Sequence, residues 1–62
     1  MDIKTTILDM IDHLEELGSK NVTDYRIMFT LAKKDEDYDN LYHIVLENLE
    51  EFRVDTTQYR LN

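Results

Sequence analysis

Two stretches of this chain repeat one apolar rhythm. Ile3, Ile7, Met10, Leu14 and Leu17 step by 4, 3, 4 and 3 residues, and Tyr38, Tyr42, Val45, Leu49 and Phe52 do the same. That spacing draws a stripe along one side of an α-helix, whereas a strand facing a core repeats every second residue. The chain has 62 residues, no proline and a single glycine, so little interrupts helices of this length. The pattern predicts an all-α fold in which the stripes pack on one another as a small bundle.

The first helix is predicted over 3–17. Ile11 widens its stripe, while Asp9, Asp12, Glu15 and Glu16 fall on the opposite side. Gly18 follows where a helix commonly ends on a left-handed residue. After the polar turn Ser19-Lys20-Asn21, a second helix is predicted over 24–34. Thr23 is its expected N-cap, Asp24 favours the positive end of the dipole, and Val22 is spaced to staple onto Ile27. The apolar arc of this helix is wide. Tyr25, Met28, Phe29 and Ala32 form its centre and Ile27 and Leu31 one flank, leaving only Arg26, Thr30 and Lys33 as a polar strip. Such an arc implies contact from two sides, or from one side and a partner.

Lys34-Asp35-Glu36-Asp37 breaks the pattern, and a third helix is predicted over 38–53. Leu41 and Leu46 flank its stripe, and Asn40, His43, Glu47, Glu50 and Glu51 face away. In the tail, 54–62, Asp55-Thr56-Thr57-Gln58 has capping-box spacing and Val54 with Tyr59 has staple spacing. These favour a short fourth helix or a frayed end. The β-branched Val54, Thr56 and Thr57 suit a strand equally, but a lone strand has nothing to pair with. The expected fold is one domain over 1–62, an antiparallel three-helix bundle with a short C-terminal extension.

Chemistry-bearing motifs are sparse. With no cysteine there is no disulfide, thiol nucleophile or thiolate metal site. Asp35-Glu36-Asp37-Tyr38-Asp39-Asn40 resembles the start of a calcium loop, but Asn40 stands where that loop needs glycine and Leu46 where it needs glutamate. These acids are expected to cap the third helix. His13 with Asp9, and His43 with Glu47, lie four residues apart, yet two ligands on one helix make no site without a third. Ser19 is the only serine and lacks a nucleophile frame, and no glycine-rich phosphate loop exists. No catalytic residue, metal or cofactor is expected, and the chain does not read as an enzyme.

Charge carries what functional content remains. Fourteen Asp and Glu against seven Lys and Arg give a net charge of −7 and a pI near 4.5. Nucleic acid and anionic membranes repel such a surface, so neither is expected as a direct ligand. A helix-turn-helix regulator is the least favoured class, because the exposed side of the third helix carries Glu47, Glu50 and Glu51 where base-reading side chains would be needed. The N-terminal Met1-Asp2-Ile3-Lys4 lacks the order of a signal peptide, so a complete cytoplasmic protein is expected. The composition, rich in Asp, Asn, Ile, Lys, Thr and Tyr, matches an AT-rich coding sequence such as a phage gene.

The expected function is therefore a small acidic module that docks on a basic surface of a host protein, inhibiting or modulating it. Its binding residues are expected to be Asp9, Asp12, Glu15 and Glu16 on the first helix and Glu47, Glu50 and Glu51 on the third. Carboxylates one helical turn apart stand about 5 to 6 Å from one another, close to the spacing of nucleic-acid phosphates. The partner could then be a nucleic-acid-binding protein whose groove the chain mimics its way into. The alternative is a self-assembling module, a homodimer closed by tyrosines and by apolar residues off the main stripes, Leu8 and Ile44, with the acids as a solubilising coat.

Overall fold

Helices form where those stripes predicted them, and local hydrogen bonds set where they stop. The structure, a computed structural model, describes residues 2–61; Met1 and Asn62, the last residue of the expected tail, lie outside the described residues. Among these it contains three α-helices, α1 (Ile3–Leu17), α2 (Val22–Leu31) and α3 (Asp35–Glu51), followed by one 3₁₀ turn (Thr57–Tyr59). This is the all-α three-helix bundle with a short C-terminal turn.

The Asp2 carboxylate caps α1 by accepting the Lys4 N–H at 3.4 Å. Its other end closes on Gly18 at φ 81°, where the N–H groups of Gly18 and Ser19 donate to the carbonyls of Glu15 and Leu14. That pair of bonds is a Schellman motif. α3 ends in the same way without a glycine. Arg53 takes φ 62°, and the N–H groups of Arg53 and Val54 donate to the carbonyls of Glu50 and Leu49.

α2 departs from the expected 24–34. It starts at Val22, with Thr23 inside the helix rather than capping it. The Ser19 hydroxyl accepts the Asn21 N–H at 3.2 Å and donates to the Asn48 side chain at 2.7 Å, which ties the turn to α3 and brings the chain into helix early. The expected staple is not made: Val22 packs on the core while Ile27 is 52% exposed. The helix ends at Leu31 because the Asp37 carboxylate takes the N–H groups of Lys33 and Lys34 at 3.0 and 3.1 Å, bonds that compete with a further helical turn. The same contact starts α3 at Asp35 rather than at 38, so Asp35, Glu36 and Asp37 occupy its first turn and complement its dipole.

The contacts at the two ends give the topology. The Lys4 ammonium sits 4.9 Å from the Tyr38 ring centre at one end of α1 and α3, and Ser19 meets Asn48 at the other, so these helices run the same way. α2 runs back antiparallel to both, while α1 and α3 pack directly on each other. Ile7, Met10, Ile11 and Leu14 from α1 and Leu41, Val45 and Leu49 from α3 are almost wholly buried, whereas α2 buries only Tyr25 completely enough to count as core. The last residue of each stripe, Leu17 and Phe52, stays more than a third exposed.

The tail is docked rather than frayed. The Tyr42 hydroxyl, on a buried α3 side chain, donates to the Tyr59 carbonyl at 2.8 Å and accepts the Leu61 N–H at 3.3 Å. The Tyr59 hydroxyl meets His13 Nδ1 at 2.9 Å, joining the turn to α1. Asp55 accepts the Thr57 N–H at 3.0 Å, which starts the turn.

Candidate functional site

The seven carboxylates expected to bind a partner all lie on the surface, but they do not form one face. Packing divides them into three groups. Asp12 and Glu15 each accept from the Arg26 guanidinium at 2.9 Å, so the α1 row is interrupted by a cation from α2. The Asp12 bond, then the Glu15 bond, hold the Arg26 pKa above its ordinary value. Among the described residues, Arg26 thus forms its ion pairs with α1 alone.

Asp9 and Glu16 lie on the other flank of α1, beside the tail. Burial, and then these two carboxylates, raise the Tyr59 pKa, because ionising the phenol there would put like charges together. Glu50 also faces the tail and accepts from Arg60 at 3.1 Å. The third group is at the α2–α3 seam. Burial raises the Tyr25 pKa, and the carboxylates of Glu51, Asp24 and Glu47 push it the same way. Glu51 also accepts from the Asn48 amide at 2.8 Å. The side chains of Asp9, Glu16 and Glu47 make no hydrogen bond or ion pair among the described residues.

The histidines serve other contacts than those the sequence spacing offered. His13 bonds to Tyr59, and His43 Nε2 lies 3.7 Å from Asp39 rather than beside Glu47. Asp35 to Asn40, the calcium-loop resemblance, is helical. Among the described residues no group of three His, Asp or Glu is placed to hold a metal ion, and no helix is long and apolar enough to cross a membrane.

The wide apolar arc of α2 leaves one apolar surface open. Ile27 and Leu31, read there as a flank of the core arc, are 52% and 68% exposed, and Met28 and Ile44 are 38% and 40% exposed. Leu8 is exposed to a similar degree. Turning at 100° per residue from the buried Tyr25, Ile27 and Leu31 come round to the outer side of α2. Beside them, an open groove of about 350 Å³ runs between α2 and α3, lined by Met28, Leu31, Ala32, Asp37, Asn40 and Leu41. The signal was present in the wide arc, which the two neighbouring helices do not cover.

No protein-family model matches this chain, no curated protein matches it, and no solved structure matches it.

Proposed function

We propose that this chain is a small acidic binding module that docks on a basic surface of a partner protein and inhibits or modulates it. What supports the reading is uncompensated surface charge. The net charge is −7, and two of the seven cations, Arg26 and Arg60, are already held by the protein's own carboxylates. Asp9, Glu16 and Glu47 remain exposed and unpaired among the described residues. An outward field of one sign speeds encounter with, and selects for, a surface of the other. The reading has the module acting in the cytoplasm, as a phage product that enters the groove of a nucleic-acid-binding host protein.

The test is capture from nuclease-treated bacterial lysate, eluted with a salt gradient and read by mass spectrometry. A basic protein released at moderate salt, and no longer held by a chain carrying Asp9→Lys, Glu16→Lys and Glu47→Lys, is the expected result. A capture profile that the triple reversal leaves unchanged refutes it. The second reading, self-association, is favoured by the exposed Ile27, Met28 and Leu31. It predicts a dimer at micromolar concentration that is indifferent to the same reversals.

A further inference from the structure

α2 is the helix left short of cover. α1 buries Ile7, Met10, Ile11 and Leu14, and α3 buries Leu41, Tyr42, Val45, Leu46 and Leu49, but α2 buries only Tyr25 among its apolar residues. Its Met28 and Leu31 line the open groove along the seam with α3, and Ile27 stands next to Leu31 on the outer side of α2. We propose that this seam is a docking groove for a basic amphipathic helix of a partner protein, seated on Met28, Leu31 and Ile44 with Ile27 at its edge. The inference rests on the proposed basic partner and names the surface that receives it.

The charges around the groove choose the occupant. Asp24 lies in the first turn of α2 and Glu47 and Glu51 near the end of α3, and the Ser19–Asn48 hydrogen bond of 2.7 Å brings these two helix ends together at the Tyr25 end of the seam. No cation among the described residues forms an ion pair with any of the three. Lys33 and Lys34 follow the strip at its other end, where Asp37 has its carboxylate turned to their backbone. The fitting ligand is therefore polarised, with Lys or Arg at the Tyr25 end and apolar residues at i, i+3 or i+4 spacing facing the groove. This is the helix-in-groove mode, in which apolar anchors hold and flanking charges orient. A second copy of the chain fits worse, since each brings a charge of −7 and the same three carboxylates to the contact.

The test selects binders from a displayed library of random 16-residue peptides, using the whole chain as bait at about 0.15 M salt, where exposed charges still act over about 8 Å. Enriched peptides carrying Lys or Arg toward one end and paired apolar residues at helical spacing are expected. Ile27→Ser with Leu31→Ser should weaken their binding by at least about tenfold, the scale of an interface anchor. Asp24→Lys with Glu47→Lys should weaken it similarly and flatten its salt dependence. Basic peptides without apolar anchors, which bind the serine variant as well as the wild type, overturn the groove while leaving the basic-partner reading intact. Enrichment of peptides with no basic bias overturns both. A dimer at the same salt that the serine pair dissolves shows that a second copy fills the groove, and overturns this assignment.

Discussion

Replacing Tyr42 by phenylalanine isolates the anchor of the C-terminal segment. The ring fills the same space, so the core around it is kept, and only the hydroxyl is removed. That hydroxyl makes two bonds to the tail, donating to the Tyr59 carbonyl at 2.8 Å and accepting the Leu61 N–H at 3.3 Å, on a residue only 6% exposed. Each such bond contributes about 0.5–1.5 kcal/mol net, so the pair is worth about 1–3 kcal/mol. A domain of this size has on the order of 3–5 kcal/mol in total, so a loss near the middle of that range takes away much of it. At about 4–8 °C per kcal/mol for so short a chain, the midpoint should fall by roughly 8–16 °C. Urea and thermal unfolding followed by circular dichroism measure it, and amide exchange should quicken at Leu61. Tyr38→Phe is the control, since it removes one bond, to the Ala32 carbonyl at 3.2 Å, from a half-buried residue. A Tyr42→Phe protein within about 0.5 kcal/mol of wild type, the range of an ordinary surface change, would refute the idea that this hydroxyl secures the tail.

Leu14→Ala, at a fully buried position between the helices, should cost about 2–5 kcal/mol and leave the chain largely unfolded at room temperature by circular dichroism. Gly18→Ala should lower stability by about 1 kcal/mol in urea titration; nothing lies within 4 Å of the added carbon, so the whole cost is the left-handed backbone at φ 81°. Asp37 titrates below the ordinary 3.8 because the N–H groups of Lys33 and Lys34 bond its ionised form. Its contribution is thus complete above that ordinary value and is lost as pH falls through the lowered one. Asp37→Asn should flatten that part of an acid-unfolding curve, while Asp55, lowered by Thr57, keeps a remainder.

What the sequence made legible was local. The stripe from Ile3 to Leu17 and the glycine after it specify α1 to the residue, because periodicity and a left-handed stop act within the segment itself. The two ends of α2 have different causes. Its start is tied through Ser19 to Asn48, far beyond any local window. Its stop is local, set by Asp37 taking the N–H groups of Lys33 and Lys34 a few residues on, and the sequence hides it because those acids read as a break in the pattern rather than as hydrogen-bond acceptors. Asp35, Glu36 and Asp37 looked like a loop because they are charged, yet acids at a helix N-terminus are stabilised there. The outward placement of the carboxylates followed from the helical wheel. Their partners did not, since whether Arg26 meets α1 or α3 is set by how the helices roll against each other.

An exposed Ile27–Leu31 pair is an aggregation hazard, and the charge of the chain bears on whether it is realised. Bringing two α2 strips together also brings together two surfaces of −7, including Asp24, Glu47 and Glu51 from each copy. At about 0.15 M salt the screening length is about 8 Å, so that repulsion still operates across a contact; at 1 M it shrinks to about 3 Å. Apolar attraction is not weakened by the same change. Wild-type protein should therefore sediment as a monomer near physiological salt at neutral pH. It should associate at about 1 M salt, where repulsion is screened. Near the pI of about 4.5, where it is titrated away, association should appear as well. Ile27→Ser with Leu31→Ser should stay monomeric throughout. If that variant associates as readily as wild type under both conditions, the α2 strip is not the sticky surface and charge is not what guards it.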